Sequence, residues 1–423
     1  MRILHLCLDY PPRRTRYGSG TVNDDLLAAL WRAGHEVVVL TPGRADRPNG
    51  MPPGSGPQLV EVPTGLTARH LLPQDRPGEM FATPGDVEAW NTAAVGWLAM
   101  GWPLGGSRVD VVHNDGWTTQ PVADAIGAWF GCPVVTTAHV VDRHYSALSG
   151  RRARPDDAEF QAAEERCFRT SDIVVVPSTT ARDLAAHYFP CYADELRVVP
   201  HGLDWHAIDR FTGDPATATD ASTVTVHYLG RISSERGWRP FIDAFVAAAK
   251  VDHRLRLRVV GDGARLADAM SLYQHPAISF LGALPRPQVV DELRRGDIFC
   301  NPALVETFGV AELEAMGLGL CVVSNSGFGK HTHVNHLATG VTVPIAQRAA
   351  GLLALDEAAW SSRLVELAAD SALRDLLGAA ARSVARSEYH VDRMAADMIA
   401  VFREAISRRI PEHARTRTED VLT

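Results

Sequence analysis

One feature constrains this chain more than any other. Short apolar runs with strand character alternate with segments of helical period along almost its whole length. Such alternation asks for parallel strands joined by helical crossovers, so the fold class is α/β. The first unit reads as a strand over 3–8, a Pro- and Gly-rich loop over 9–20 and an amphipathic helix over 22–33. Gly34 ends that helix and the run EVVVL at 36–40 is the next strand. Further strands are expected at 59–62, 109–112, 134–137, 173–176 and 197–199, with helices at 86–100, 122–130, 157–170 and 181–188. Residues 212–223 (TGDPATATDAST) then hold no large apolar side chain and read as a linker. The alternation restarts beyond it. Strands are expected at 224–228, 255–260, 278–280, 298–300, 321–323 and 341–343, and helices at 240–251 and 264–274. The last hundred residues are mainly helical and end near Arg408, ahead of a polar tail. A length of 423 residues suits two such domains at roughly 100–200 residues each. In sheets of this kind ligands bind at the carboxyl ends of the strands, and two facing domains share a site in the cleft between them.

Composition removes several alternatives. Six cysteines without a CxxC pair make neither a disulfide framework nor a zinc ribbon, which points to the reducing cytosol. No apolar run is long enough to span a bilayer, and the N-terminus reads as a first strand rather than a leader. A net charge of −8 disfavours a nucleic-acid partner. Only Lys250 and Lys330 among the 42 basic residues are lysine, so arginine standing where lysine is common carries little surprise.

Three segments could carry chemistry. In NPALVETFGVAELEAMG (301–317), Glu306 and Glu314 are eight positions apart, and Thr307, Phe308 and Gly309 break the period before a helix beginning at Val310. A glycine there allows close backbone approach, and free N–H groups at a helix start attract anions. In YLGRISSERG (228–237), Gly230 ends a strand, and Arg231 and Arg236 could clamp a diphosphate with their planar forks of donors. The loop after the first strand holds Asp9, Tyr17, Gly18, Ser19 and Gly20, but it is not GxGxxG and no acidic residue closes the second strand. His113 and His139 follow strands. His331, His333 and His336 form a loop cluster with no fourth zinc ligand nearby. The chain contains no Asp-x-Asp for a divalent cation, so no metal is expected and arginines with helix amides would hold the diphosphate.

Taken together these segments resemble the retaining glycosyltransferases of family 4, with the GT-B fold. The resemblance rests on Glu306-Thr-Phe-Gly-Val-Ala-Glu-Leu-Glu314-Ala-Met and on Gly230-Arg231…Arg236-Gly237, with arginine in place of lysine. Gly34-His-Glu-Val, Val176-Pro-Ser178 and Pro200-His-Gly-Leu-Asp204 also match. It covers about 1–40, 109–140 and 172–345. Where the family usually has Gly-Gly-x-x-Glu, this chain has Thr332 at the glutamate position.

The resemblance implies two facing Rossmann-like domains and a deep cleft. An acceptor-binding domain would span 1–211 and a nucleotide-sugar-binding domain 222–390, with a terminal helix near 391–408 packing back on the first. By the same implication Arg231 and Arg236 hold the donor diphosphate, Glu306 the sugar hydroxyls and Glu314 the ribose. Backbone amides of Phe308, Gly309 and Val310, beside Thr307, meet phosphate and sugar. Gly18–Gly20 closes over the β-phosphate, Gly230 lets the donor approach, and His139 lies near the reacting centre. Asp9, Tyr17, His113 and His139 are the acceptor-side candidates.

The implied activity is metal-independent, front-face hexosyl transfer with retention, from a UDP-sugar to a small polar acceptor such as an aminocyclitol or another sugar-bearing molecule. No cofactor is expected, and the sequence leaves room for a homodimer. Trp90, Trp97 and Trp102 are candidates to stack on the acceptor, with core packing as the alternative. Rival readings are a sugar-nucleotide epimerase of similar architecture and a non-catalytic nucleotide-sugar-binding subunit.

Overall fold

In the computed structural model, residues 1–8, 18–43, 56–62, 84–104, 108–141, 143, 157–211, 222–233, 236–326, 333–347 and 353–409 are described. They form two seven-stranded sheets. The first contains β1 (Arg2–Leu6), β2 (Glu36–Pro42), β3 (Gln58–Val62), β4 (Val111–Asp115), β5 (Val134–Thr137), β6 (Ile173–Val176) and β7 (Leu196–Val198), in the order β3-β2-β1-β4-β5-β6-β7. All its pairings are parallel. Runs such as IVVV in β6 are buried on both faces, as a sheet covered by helices on each side requires.

The second sheet contains β8 (Val224–Leu229), β9 (Leu255–Val260), β10 (Ile278–Gly282), β11 (Ile298–Asn301), β12 (Cys321–Ser326), β13 (Val341–Gln347) and β14 (Leu353–Leu355), in the order β10-β9-β8-β11-β12-β13-β14. Only β14 runs antiparallel, against β13. Its three residues gave no period to detect in the sequence, and it is an addition to the expected strands. In both sheets the strand order reverses beside the first strand, between β1 and β4 and between β8 and β11. Those reversals open crevices at the strand carboxyl ends, where ligands of such sheets bind.

One element boundary moves in a way that matters. The first helix spans Gly18–Arg32, so Gly18, Ser19 and Gly20 form its opening turn rather than a loop. Asp9, Tyr17 and 212–221 of the linker segment lie outside the described residues. The final helix, Val391–Arg409, packs against the first helix, as expected for a terminal helix that returns to the first domain. Met394, Met398, Val401 and Phe402 share one buried cluster with Ile3, Leu26 and Leu30. Arg197 donates to both oxygens of Glu404, at 3.1 and 2.6 Å, and Arg409 pairs with Asp172 at 2.8 Å.

The same cluster takes in Leu313 and Met316 of the helix Val310–Leu318, so the two halves of the chain share packed core. Gly317 marks one close approach between them. A Cβ there would lie 2.1 Å from the Trp205 ring, which Arg386 covers on another side while donating to the Gly317 carbonyl at 2.9 Å. Gly317→Ala is therefore expected to destabilise the protein by about 1–3 kcal/mol through overpacking. Chemical denaturation of the variant beside the parent protein checks this, and an unchanged midpoint would refute the contact.

Candidate active site

The two crevices face each other, and the donor-side segments line one of them. Gly230 and Arg231 directly follow β8. Tyr228 Oη donates to the Arg231 carbonyl at 2.7 Å and Ile232 N–H donates to Asp262 O at 3.0 Å, which pins the backbone on both sides of Arg231. The turn closes through Arg236 N–H to Ser233 O, 3.0 Å. Arg236 Nη1 then reaches Glu306 Oε2 at 2.6 Å, joining two residues 70 positions apart. The expected diphosphate ligand and the expected sugar ligand are thus neighbours.

From Glu306 the chain enters a tight turn. Gly309, the N-cap of the helix Val310–Leu318, has φ 88°, a left-handed conformation that glycine adopts without strain. A Cβ at 309 would also lie 2.5 Å from Glu312 Oε2. The Phe308 ring is buried, edge-on to His201 with centroids 4.8 Å apart, so the ring anchors the turn and its amide is what remains for a ligand. Glu312, which the sequence reading passed over, is fully buried beneath this turn. It accepts from Ser324 Oγ at 2.5 Å, and His333 Nε2 lies 3.3 Å away.

Across the crevice stands His139, just beyond β5. Thr307 Oγ1 donates to its carbonyl at 2.6 Å, and Ser178 Oγ donates to the Thr307 carbonyl at 3.0 Å. One threonine of the second domain is therefore held at both ends by the first. The His139 ring is engaged twice, by Asp115 Oδ1 at Nε2 and by His201 Nε2 at Nδ1, 3.2 Å. Burial pushes the His201 imidazole well below its ordinary value, with His139 adding to the effect, so His201 is neutral and one proton is shared between its Nε2 and His139 Nδ1. His139 donates from Nε2 to the Asp115 carboxylate. Burial alone would raise Asp115, but the His139 charge and hydrogen bond bring it down to about 2. Asp115 ends β4 at the strand-order reversal, a position that could have been found by asking which polar residue closes each strand.

Glu314 lies in the second turn of its helix and is buried. Burial raises its carboxyl, and Arg286 works against that rise from 3.7 Å. Arg286 and its other partner, Asp25, were absent from the sequence reading.

Some candidates do not reach the crevice. His113 is 1% exposed; its Nδ1 meets His5 Nδ1 at 3.0 Å and its Nε2 meets Thr137 Oγ1 at 2.8 Å, so it is a core residue and not an acceptor contact. Trp90, Trp97 and Trp102 pack in or against the core beneath β1–β4, with Trp102 tilted on Phe130 at 4.7 Å. His331 and Thr332 lie outside the described residues, while His333 faces Glu312 and His336 bonds Thr342. Among the described residues no group of three or more His, Cys, Asp or Glu is placed to hold a metal ion. None of their helices is long and apolar enough to cross a membrane.

The His5–His113 pair carries a pH prediction. Burial pushes His5 down to about 4 against a lesser upward pull from Asp115, and His113 lies well below its ordinary 6.5. Both are neutral in the fold, whereas the unfolded chain takes up these protons first as pH falls. Stability is therefore complete above about pH 6.5 and declines toward pH 4. The urea midpoint should fall across that window, and His5→Gln should flatten the fall. A parent midpoint that stays level would refute the assignment.

Two mainly parallel sheets, each with a strand-order reversal at a crevice, give the chain the GT-B fold. Residues 17–206 match the sequence model of Glycosyltransferase Family 4, and residues 223–370 match that of Glycosyl transferases group 1. The chain belongs to the family 4 glycosyltransferases. Glycogen synthase of Mycobacterium tuberculosis is 28% identical over 361 residues, covering 81% of this chain and 82% of the relative. D-inositol 3-phosphate glycosyltransferase of Xylanimonas cellulosilytica is 26% identical over 440 residues, covering 95% of each. Among solved structures, Anabaena Alr3699/HepE in complex with UDP-glucose superposes with a TM-score of 0.67 at 15% identity, covering 96% of this chain and 100% of that one.

Proposed function

We propose that this enzyme transfers a hexosyl unit from a UDP-sugar to a small polar acceptor with retention at the anomeric carbon, without a metal ion. The observation that carries the reading is the contact of Thr307 with the His139 carbonyl. It sets the donor-side turn, with Glu306 and the helix amides, against the first domain's histidine in a single crevice.

The chemistry follows from where charge develops. As the bond between the anomeric carbon and the β-phosphate oxygen breaks, negative charge gathers on the diphosphate. Arg231, Arg236 and the N–H groups of Gly309 and Val310 are preorganised cations and dipoles for it. The acceptor oxygen bonds the anomeric carbon from the same face, and its proton passes to the departing phosphate oxygen. Asp115, the carboxylate beside His139, is already committed to the imidazole, which favours front-face attack over a covalent intermediate.

The UDP-glucose complex of the Anabaena structure supports the choice of donor nucleotide, and the inositol-phosphate relative supports a small polyol acceptor. Six free thiols, five of them buried, are in keeping with a cytosolic enzyme. The test is a mass-spectrometric screen of UDP- and GDP-sugars against cyclitols, sugar phosphates and glycans, with the product's anomeric coupling read by NMR. An inverted anomer would overturn retention. Turnover is expected to survive EDTA, and complete loss restored by Mg²⁺ or Mn²⁺ would overturn the metal-free mechanism.

A further inference from the structure

We infer that Arg286 completes the ribose subsite and that Asp25, reaching across from the first domain, holds it in position, so that nucleotide recognition and domain contact share one guanidinium. The inference rests on the reading of Glu314 as the ribose ligand.

Arg286 opens the helix Arg286–Arg294 of the second domain. Its Nη1 and Nη2 donate to Asp25 Oδ1 and Oδ2, each at 2.8 Å, a bidentate pair between residues 261 positions apart. Asp25 is 6% exposed in the middle of the first helix, and its Oδ2 also accepts from Asp204 N–H at 3.1 Å. That second bond ties the carboxylate to its own domain. Fork-to-fork geometry then fixes the plane of the guanidinium.

This pairing leaves one donor over. The Arg286 Nε–H is buried and has no hydrogen-bond partner. The nearest carboxylate oxygen is Glu314 Oε1 at 3.7 Å, beyond the reach of an N–H···O bond. Glu314 is itself buried, and burial raises its carboxyl. A buried donor without a partner therefore faces the Glu314 carboxylate across a gap, and such a donor is costly to leave unsatisfied. A hydroxyl is the group that answers both, because it accepts from an N–H while donating to a carboxylate. Ribose supplies two hydroxyls on adjacent carbons. Asp25 has the further effect of holding the guanidinium off Glu314, since a direct Arg286–Glu314 pair would consume the lone pairs that the ribose needs.

The experiment is calorimetry of UDP and of 2′,3′-dideoxy-UDP with the parent chain, Glu314→Gln, Asp25→Asn and Arg286→Gln, each first shown by thermal unfolding to be folded. The parent should prefer UDP. Asp25→Asn frees the guanidinium to close on Glu314, so UDP should weaken about tenfold while the dideoxy nucleotide barely changes. Arg286→Gln should erase the preference to a similar degree by removing the Nε–H. A purely structural role for Asp25 would weaken both nucleotides alike, and that result overturns the inference. If the preference survives Glu314→Gln, the ribose reading of Glu314 itself falls. If it is lost there but persists in both Asp25→Asn and Arg286→Gln, that reading stands and the present inference is refuted. Should Asp25→Asn fail to fold, Arg286→Gln decides alone.

Discussion

Arg231→Ala should lower kcat about 10²–10³-fold, the usual consequence of removing one preorganised donor that faces developing charge. The structure gives a specific reason to expect the full effect. The backbone at 231 is held by the Tyr228 hydroxyl on its carbonyl, and the next residue by Asp262, so the cation is delivered from a rigid strand end. Alanine removes the charge without loosening those bonds. The loss should therefore fall on the chemical step rather than on folding. Single-turnover kinetics with the UDP-sugar separates the two, and a variant with full turnover would take Arg231 out of the diphosphate clamp. Arg236→Ala should behave differently, because its guanidinium also orients Glu306 from 2.6 Å, so donor-sugar selectivity should suffer along with rate.

The second large effect separates the two glutamates. Glu306→Gln keeps the side-chain shape but loses the charged acceptor proposed for sugar hydroxyls and the ion pair with Arg236. Turnover should drop by about 10²-fold, in the range of a lost charge-assisted contact made in the transition state. Affinity for free UDP should stay nearly constant, because UDP carries no transferred sugar. Glu314→Gln should instead weaken free UDP, its proposed partner being the ribose. Titration calorimetry with UDP alone decides the matter. Equal weakening in both variants would reverse the assignment of Glu306 to the sugar and Glu314 to the ribose. The two carboxylates sit in different surroundings. Glu306 is paired closely by Arg236, whereas Glu314 is buried and has Arg286 only at 3.7 Å.

What the sequence determined alone is what repeats locally. Period and turn residues announced thirteen of the fourteen strands among the described residues, because a run such as EVVVL or IVVV needs no distant partner to declare itself. The helix behind Gly309 and the strand end at Gly230 were legible for the same reason, since each is a short segment whose backbone chemistry is written in adjacent residues. Only β14 escaped, being three residues that become a strand by pairing with β13. The start of the first helix was misplaced because glycines at 18 and 20 signal a loop wherever packing does not override them.

The tertiary structure decided everything that depends on which distant groups meet in a low-dielectric interior. His113 and His139 look alike in sequence, each a histidine at a strand end. One was turned into the core against His5, and the other was set at the crevice on Asp115, 24 positions earlier. Asp25 and Arg286 gave no local signal at all, since a charged residue on a helix is ordinarily solvated. Their pairing exists because packing two α/β domains face to face removes both from water, and buried charges persist there only when geometry supplies a counter-charge and hydrogen bonds.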